Sequence, residues 1–205
     1  MLNDRPELTS AIGRCIAIWA QADNEMGNLF GVLLGTDSEA ALDVFLTLRR
    51  SANQREALRA AAKFKLAGTQ LQFFGALVDL YGSLERERNC LAHGCFGVAD
   101  NDHSVLLWID VRDHVHFQTE VLARLARGES VPDPHVRLKE AMYVYRIADL
   151  EALQNDMEQF WKAAQIFNSC LRNRTGPESA EFMAAQRLPL INAKLTELAK
   201  NPSAA

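Results

Sequence analysis

Residues 69–93 read TQLQFFGALVDLYGSLERERNCLAH, and within them Phe74, Leu77, Tyr81, Leu84, Arg88 and Leu91 recur at alternating three- and four-residue steps. That spacing is one face of an α-helix, since 3.6 residues make a turn. Thr69 followed by Gln72 fits a capping box, in which hydroxyl and amide satisfy the backbone donors left open by the first turn. Gly94 punctuates the far end. The stretch therefore predicts a long helix over 70–93, with one charged residue, Arg88, on its apolar stripe.

The same pattern continues on both sides. Ile12, Ile16, Trp19, Asp23, Met26, Phe30 and Leu33 form a comparable stripe that Gly35 ends, and again a charge, Asp23, falls on it. Thr36 with Glu39 and Ser51 with Gln54 are further capping boxes, which start helices near 37–50 and 52–67, the latter punctuated by Gly68. Residues 8–93 thus form a prelude of four helices. After them, residues 94–147 read as a hairpin-and-loop insertion. A polar turn at Asp100-Asn101-Asp102 precedes a strand from Val105 to Val111, and Ala141 to Arg146 forms a second. Between them Val121 to Arg127 suits a short helix, and Val131-Pro132-Asp133-Pro134 must be loop. Leu150, Leu153, Met157, Phe160, Ala164, Phe167 and Leu171 restore the helical spacing in a closing helix over 148–173. A weaker helical tail over 177–205 is broken near Pro189. Short turns between amphipathic helices predict a mainly α fold: an antiparallel helical bundle with a small antiparallel β insertion, as a single domain.

Composition sets the outer limits. The chain has 205 residues, 48% of them hydrophobic and 23% charged, which are ordinary globular values, and its formal net charge is −4. The molecule as a whole is no electrostatic magnet for nucleic acid, so any RNA contact must come from a local basic surface. The N-terminus lacks the layout of a signal peptide, and no apolar run has the length needed to cross a bilayer. Cys15, Cys90, Cys95 and Cys170 include no CxxC pair, so they read as reduced thiols in a cytoplasm rather than as a zinc site or a disulfide frame.

A charge facing a core is costly unless it is paired and hydrogen-bonded. The simplest resolution of the two misplaced charges is that the first and fourth helices pack together and Asp23 meets Arg88, with Glu25 nearby. Losing one partner of a fully buried pair of that kind costs about 3–5 kcal/mol. The alternative is that Arg88 snorkels past the rim of the core on its aliphatic stem. In the functional version the pair orients a guanidinium at the floor of a cleft, where its fixed fork of donors suits a phosphate.

Arg88, the polar Asn89 beside it, three more residues and then His93 have the spacing of the HEPN motif: arginine, four to six residues, histidine. The string Glu87-Arg88-Asn89-Cys90-Leu91-Ala92-His93-Gly94 resembles many bacterial members, with their arginine-asparagine start and alanine-histidine-glycine finish. Helices before the motif and an amphipathic helix after it agree, and the resemblance covers roughly residues 8–173. It implies a four- to five-helix bundle that commonly dimerises and brings two copies of the motif to one cleft. Many members are metal-independent endoribonucleases of toxin–antitoxin, abortive-infection or other phage-defence systems. Others have lost cleavage and serve as binding or assembly modules for a nucleotide, a nucleic acid or a protein partner. Some toxins of the family carry a tyrosine two residues after the histidine, where this chain has Cys95.

The residue types suit that chemistry. Cleaving RNA through its own 2′-hydroxyl needs a proton taken from that oxygen and one given to the leaving oxygen, work for which histidine is suited. His93 is the candidate acid/base, Arg88 the stabiliser of charge building on the phosphoryl oxygens. Asn89, four residues before His93, is placed to orient the imidazole or hold a phosphate oxygen. The expected partners are a second copy of the chain, single-stranded RNA and an antitoxin protein, with no cofactor and no membrane.

Other groups stand apart from the motif. Arg49, Arg50, Arg55, Arg59, Lys63 and Lys65 set six basic residues against one acid, Glu56, with Arg55, Arg59 and Lys63 in a single row. The row could track an RNA backbone, and a solvated helix face explains it as well. His114 and His116 would project from one face of a strand. With His103 or Asp110 they lack a third ligand at motif spacing, so no metal is expected. Trp19, Phe160, Trp161 and Phe167 read as core or dimer-interface aromatics.

Overall fold

The computed structural model describes residues 5–36, 39–48, 50–99, 102–131 and 133–200. The protein is mainly helical with a small antiparallel sheet. In chain order the elements are α1 (Pro6–Leu34), α2 (Glu39–Thr47), α3 (Ser51–Ala62), α4 (Gly68–His93), β1 (Cys95–Ala99), β2 (Asp102–Ile109), α5 (Val111–Ala126), the single turn α6 (Pro134–Arg137), β3 (Met142–Arg146), α7 (Ile147–Arg172), α8 (Ala180–Gln186) and α9 (Pro189–Lys200). The chain divides into two compact units. The first comprises the described residues of Met1–Ile16 and Glu87–Leu153, the second those of Ala17–Arg86 and Gln154–Ala205. The helices α1, α4 and α7 contribute residues to both.

The second unit is a helical bundle on an aromatic core. Trp19 of α1, Tyr81 of α4 and Phe160 of α7 stack, with centroids 5.2 Å apart for Trp19–Tyr81 and 6.2 Å for Tyr81–Phe160. Further along, Phe73 of α4 meets Phe167 of α7 at 5.1 Å and Phe182 of α8 at 4.9 Å. Since 73 meets 167 and 81 meets 160, α4 and α7 run antiparallel. The same logic makes α3 antiparallel to α4, because Arg55 meets Glu85 and Arg59 meets Asp79. Trp19, Tyr81, Phe160 and Phe167 lie on the stripes that the helical periodicity turned inward, Phe73 and Phe182 do not, and Phe73, Phe160, Phe167 and Phe182 are fully buried.

Asp23 is half-buried and accepts a hydrogen bond from the Tyr81 hydroxyl, so an acid on one stripe is met by a phenol on the other. Burial first, and the Asp23 carboxylate second, push the Tyr81 phenol well above the usual tyrosine range. Tyr81→Phe removes the donor while leaving the carboxylate in place. It is expected to destabilise the protein by about 1–3 kcal/mol. Adding Asp23→Ala should cost less than the sum of the two single changes, a coupling that urea denaturation of the four species measures.

In the first unit the sheet has the order β1-β2-β3, antiparallel throughout. Cys95 pairs with Ile109 and Val98 with Leu106, a bulge follows at Ala99, and on the other side Trp108 pairs with Tyr143 and Val105 with Arg146. Arg5, nearly fully buried, ties the start of the chain to the β1–β2 connection through Ala99 O at 3.2 Å and Asp102 O at 3.4 Å, and its guanidinium also meets His103. The Cys15 thiol donates to Leu150 O at 3.5 Å.

Several expectations change here. The insertion has three strands, because the chain enters β1 directly after α4. The strand expected to run through Val111 ends at Ile109, and α5 begins instead, with the Asp110 carboxylate capping the Arg112 N–H at 2.8 Å. An aspartate ahead of a helical run is an N-cap, and that competes with the alternating pattern. His114 and His116 are therefore two apart on a helix and point to different sides, with His114 bonded to Gln118 at 2.9 Å. The helix expected over Val121–Arg127 is the end of α5, none of whose residues is fully buried.

Two capping boxes also differ. The N-cap of α3 is Arg50, with no side-chain cap bond, and Gln54 reaches instead to Phe45 O at 3.3 Å. α4 starts at Gly68, so Thr69 lies inside its first turn. Asp37 and Ser38, which the first box spans, lie outside the described residues, as do Asp100 and Asn101 of the expected turn, Pro132 of the loop, and Arg49.

The end of α4 as the candidate functional site

The last turns of α4 and strand β2 belong to the same unit and are fastened together at one point. The Trp108 indole donates its Nε1–H to the Cys90 carbonyl at 2.7 Å, and the Gly94 N–H reaches the same oxygen at 3.1 Å. One carbonyl thus takes a side-chain and a backbone donor where the helix runs out of its own partners. Gly94 is needed there for space. A Cβ at this position would lie 1.6 Å from Trp108 Nε1. The helix-stopping role expected of a left-handed glycine belongs elsewhere, to Gly35 (φ 76°) after α1 and Gly128 (φ 69°) after α5, while Gly68 (φ 51°) opens α4 and Gly94 is not among the positive-φ glycines.

The three motif side chains lie on this fastened segment. His93 is the last residue of α4 and is exposed, while Asn89 and Arg88 are half-buried and the Arg88 Nε has no solvent contact. Cys90, between them, is half-buried, and burial, followed by Glu87 and Asp110, pushes its thiol up. A thiol so disposed is a poor nucleophile. Tyr145 of β3 is pushed up to about 12, by burial first and then by Cys90 and Glu87.

Two tyrosines with raised values make the fold alkali-sensitive. The unfolded phenol ionises near 10, and the folded pKa lies above it. The stabilisation is therefore complete below about pH 10 and is lost as pH rises toward the folded values, which for Tyr145 means about 12. Stability measured by denaturant titration should fall over that window, with tyrosinate absorbance appearing together with unfolding rather than before it.

The other predicted site residues lie in the second unit. Asp23 is engaged by Tyr81, and Glu25 accepts from Asn168 Nδ2 at both its carbonyl (2.9 Å) and its carboxylate (2.8 Å). In the basic row, Arg55 pairs with Glu85 at 3.1 Å and Arg59 with Asp79 at 2.9 Å, while Lys63 is exposed. Two of the three cations are thus matched by acids of α4, the Arg55–Glu85 pair half-buried and the Arg59–Asp79 pair more open to solvent. Among the described residues no group of three or more His, Cys, Asp or Glu is placed to hold a metal ion, and no helix is long and apolar enough to cross a membrane. The four cysteines are free thiols.

Trp108 is the residue that reading the sequence missed. As part of an apolar run it looked like one more strand residue, and nothing local signals that its indole holds the motif segment. The class defined by fold and site is a mainly helical protein carrying an Arg-Asn-x3-His segment at a helix terminus fixed to a small sheet. Comparison with protein-family models, with curated proteins and with solved structures finds no match.

Proposed function

We propose that this protein is a HEPN-like, metal-independent endoribonuclease of a toxin or phage-defence type system, acting as a homodimer on single-stranded RNA. The observation that carries this reading is an exposed imidazole, His93, one turn beyond a half-buried arginine and asparagine on a helix end held rigidly by Trp108. His93 takes the proton of a ribose 2′-hydroxyl as that oxygen attacks phosphorus. The P–O5′ bond breaks, and an imidazolium returns a proton to the leaving 5′ oxygen, so that a 2′,3′-cyclic phosphate and a 5′-hydroxyl result. Arg88, held by its half-buried stem, directs its fork of donors at the phosphoryl oxygens, and Asn89 orients the ring or the phosphate. Fixing these groups on a rigid element favours a single productive geometry.

The test is cleavage of single-stranded RNA in chelator by the wild-type protein, Arg88→Ala and His93→Ala, with a substrate lacking 2′-hydroxyls as control. Cyclic-phosphate ends made by the wild type and lost in both variants support the proposal. Undiminished cleavage by either variant, or cutting of the 2′-deoxy substrate, removes it. RNA binding without cleavage by the wild type turns the reading to the non-catalytic HEPN-like module.

A further inference from the structure

A cleft of about 600 Å³ opens on the sheet of the first unit, lined by Trp108, Asp110, Asp113, Arg137, Glu140 and Tyr143 among others. None of the motif side chains lines it. Its charge is unbalanced toward acid. Three carboxylates face one guanidinium, and Arg137 is already bonded through Nε to Glu120 at 3.2 Å, a residue outside the lining. Among the described residues neither Asp113 nor Glu140 forms an ion pair, and Asp110 gives one oxygen to the Arg112 N–H. The field in this cleft repels phosphate and attracts cations.

The geometry also selects the kind of cation. Asp110, Asp113 and Glu140 come from the β2–α5 junction, from α5 and from the segment before β3, so they suit a ligand whose own positive charges are spread out. The other wall is aromatic. Tyr143 stands opposite Trp108 across the β2–β3 ladder, their centroids 5.4 Å apart, and Tyr143 is 63% exposed while Trp108 is only 7% exposed. Trp108 is buried and bonded to the Cys90 carbonyl, which fixes the orientation of this wall. An exposed tyrosine beside carboxylates offers a ring face to ammonium groups and an apolar surface to methylenes.

We infer that this cleft binds a linear aliphatic polyamine, with its ammonium groups held by Asp113, Glu140 and Asp110 and its methylene chain laid on Tyr143 against Trp108. The inference is independent of the ribonuclease proposal, and its test contains no RNA. Spermidine is titrated into the full chain by isothermal calorimetry at low ionic strength, with circular dichroism confirming that each variant is folded. The wild type should show saturable one-site binding. Asp113→Asn combined with Glu140→Gln should weaken it at least about tenfold, and Tyr143→Ala about threefold, while Tyr143→Phe, which keeps the ring, retains it. Magnesium at matched ionic strength should not displace the amine. Absence of saturable binding at millimolar spermidine, wild-type affinity in the double variant, or equal displacement by magnesium overturns the inference.

Discussion

On the ribonuclease proposal, His93→Ala is expected to lower RNA cleavage by about 10²–10⁴-fold, the range over which a positioned general acid–base contributes. Protein stability should barely change, because the side chain is exposed and ends its helix. Arg88→Ala should reduce cleavage by about 10²–10³-fold, the loss seen when one preorganised donor to a developing oxyanion is removed. It differs from His93→Ala in also costing stability, since the Arg88 stem is half-buried and its Nε is out of solvent. Kinetics under single-turnover conditions, run alongside urea denaturation, separate the two effects. Equal loss of stability in both variants would contradict the placement of His93 at the surface.

The second large effect is expected from Gly94→Ala. A methyl group there meets the Trp108 indole, with the nearest atom at 1.6 Å. The indole cannot retreat without giving up its bond to Cys90 O and its place in the sheet, where it is 7% exposed. Overpacking typically costs about 1–3 kcal/mol, and a buried donor left without its acceptor adds a comparable amount, so a total of about 3 kcal/mol is expected. Trp108→Val in the same chain should relieve the collision, because it removes all three ring atoms nearest the added methyl. The double variant is then more stable than the sum of the single changes predicts, a coupling read by denaturation of all four species. If Gly94→Ala alone unfolds at the wild-type midpoint, the helix end is not held in this way. Cleavage adds a further readout, because loosening the segment that carries Arg88, Asn89 and His93 should lower activity even where the protein stays folded.

Much of the helical frame was legible in the sequence for a simple reason. Along α1, α4 and α7 the apolar residues recur with the period of the helix, and a stripe that long leaves no strand alternative. Gly35 and Pro189 mark turns because one tolerates a left-handed backbone and the other starts a helix well. The polar Arg88-Asn89-x3-His93 spacing was equally readable, since all three residues sit on one helix and helix geometry relates them.

The tertiary structure decided what depends on residues far apart in the chain. Asp23 was visible as an anomaly on its stripe, but its bond to the Tyr81 phenol needed the packing of two helices 58 residues apart. The row of Arg55, Arg59 and Lys63 read equally as an RNA track or a solvated face, and the acids that pair with two of its members, Glu85 and Asp79, come from α4 well along the chain. The switch from β2 to α5 at Asp110 went unread because alternation and helical periodicity overlap over a few residues, and the capping bond settles the choice. Trp108 fastening the end of α4, and Tyr143 facing it across the ladder, follow from strand register, which local sequence specifies only weakly.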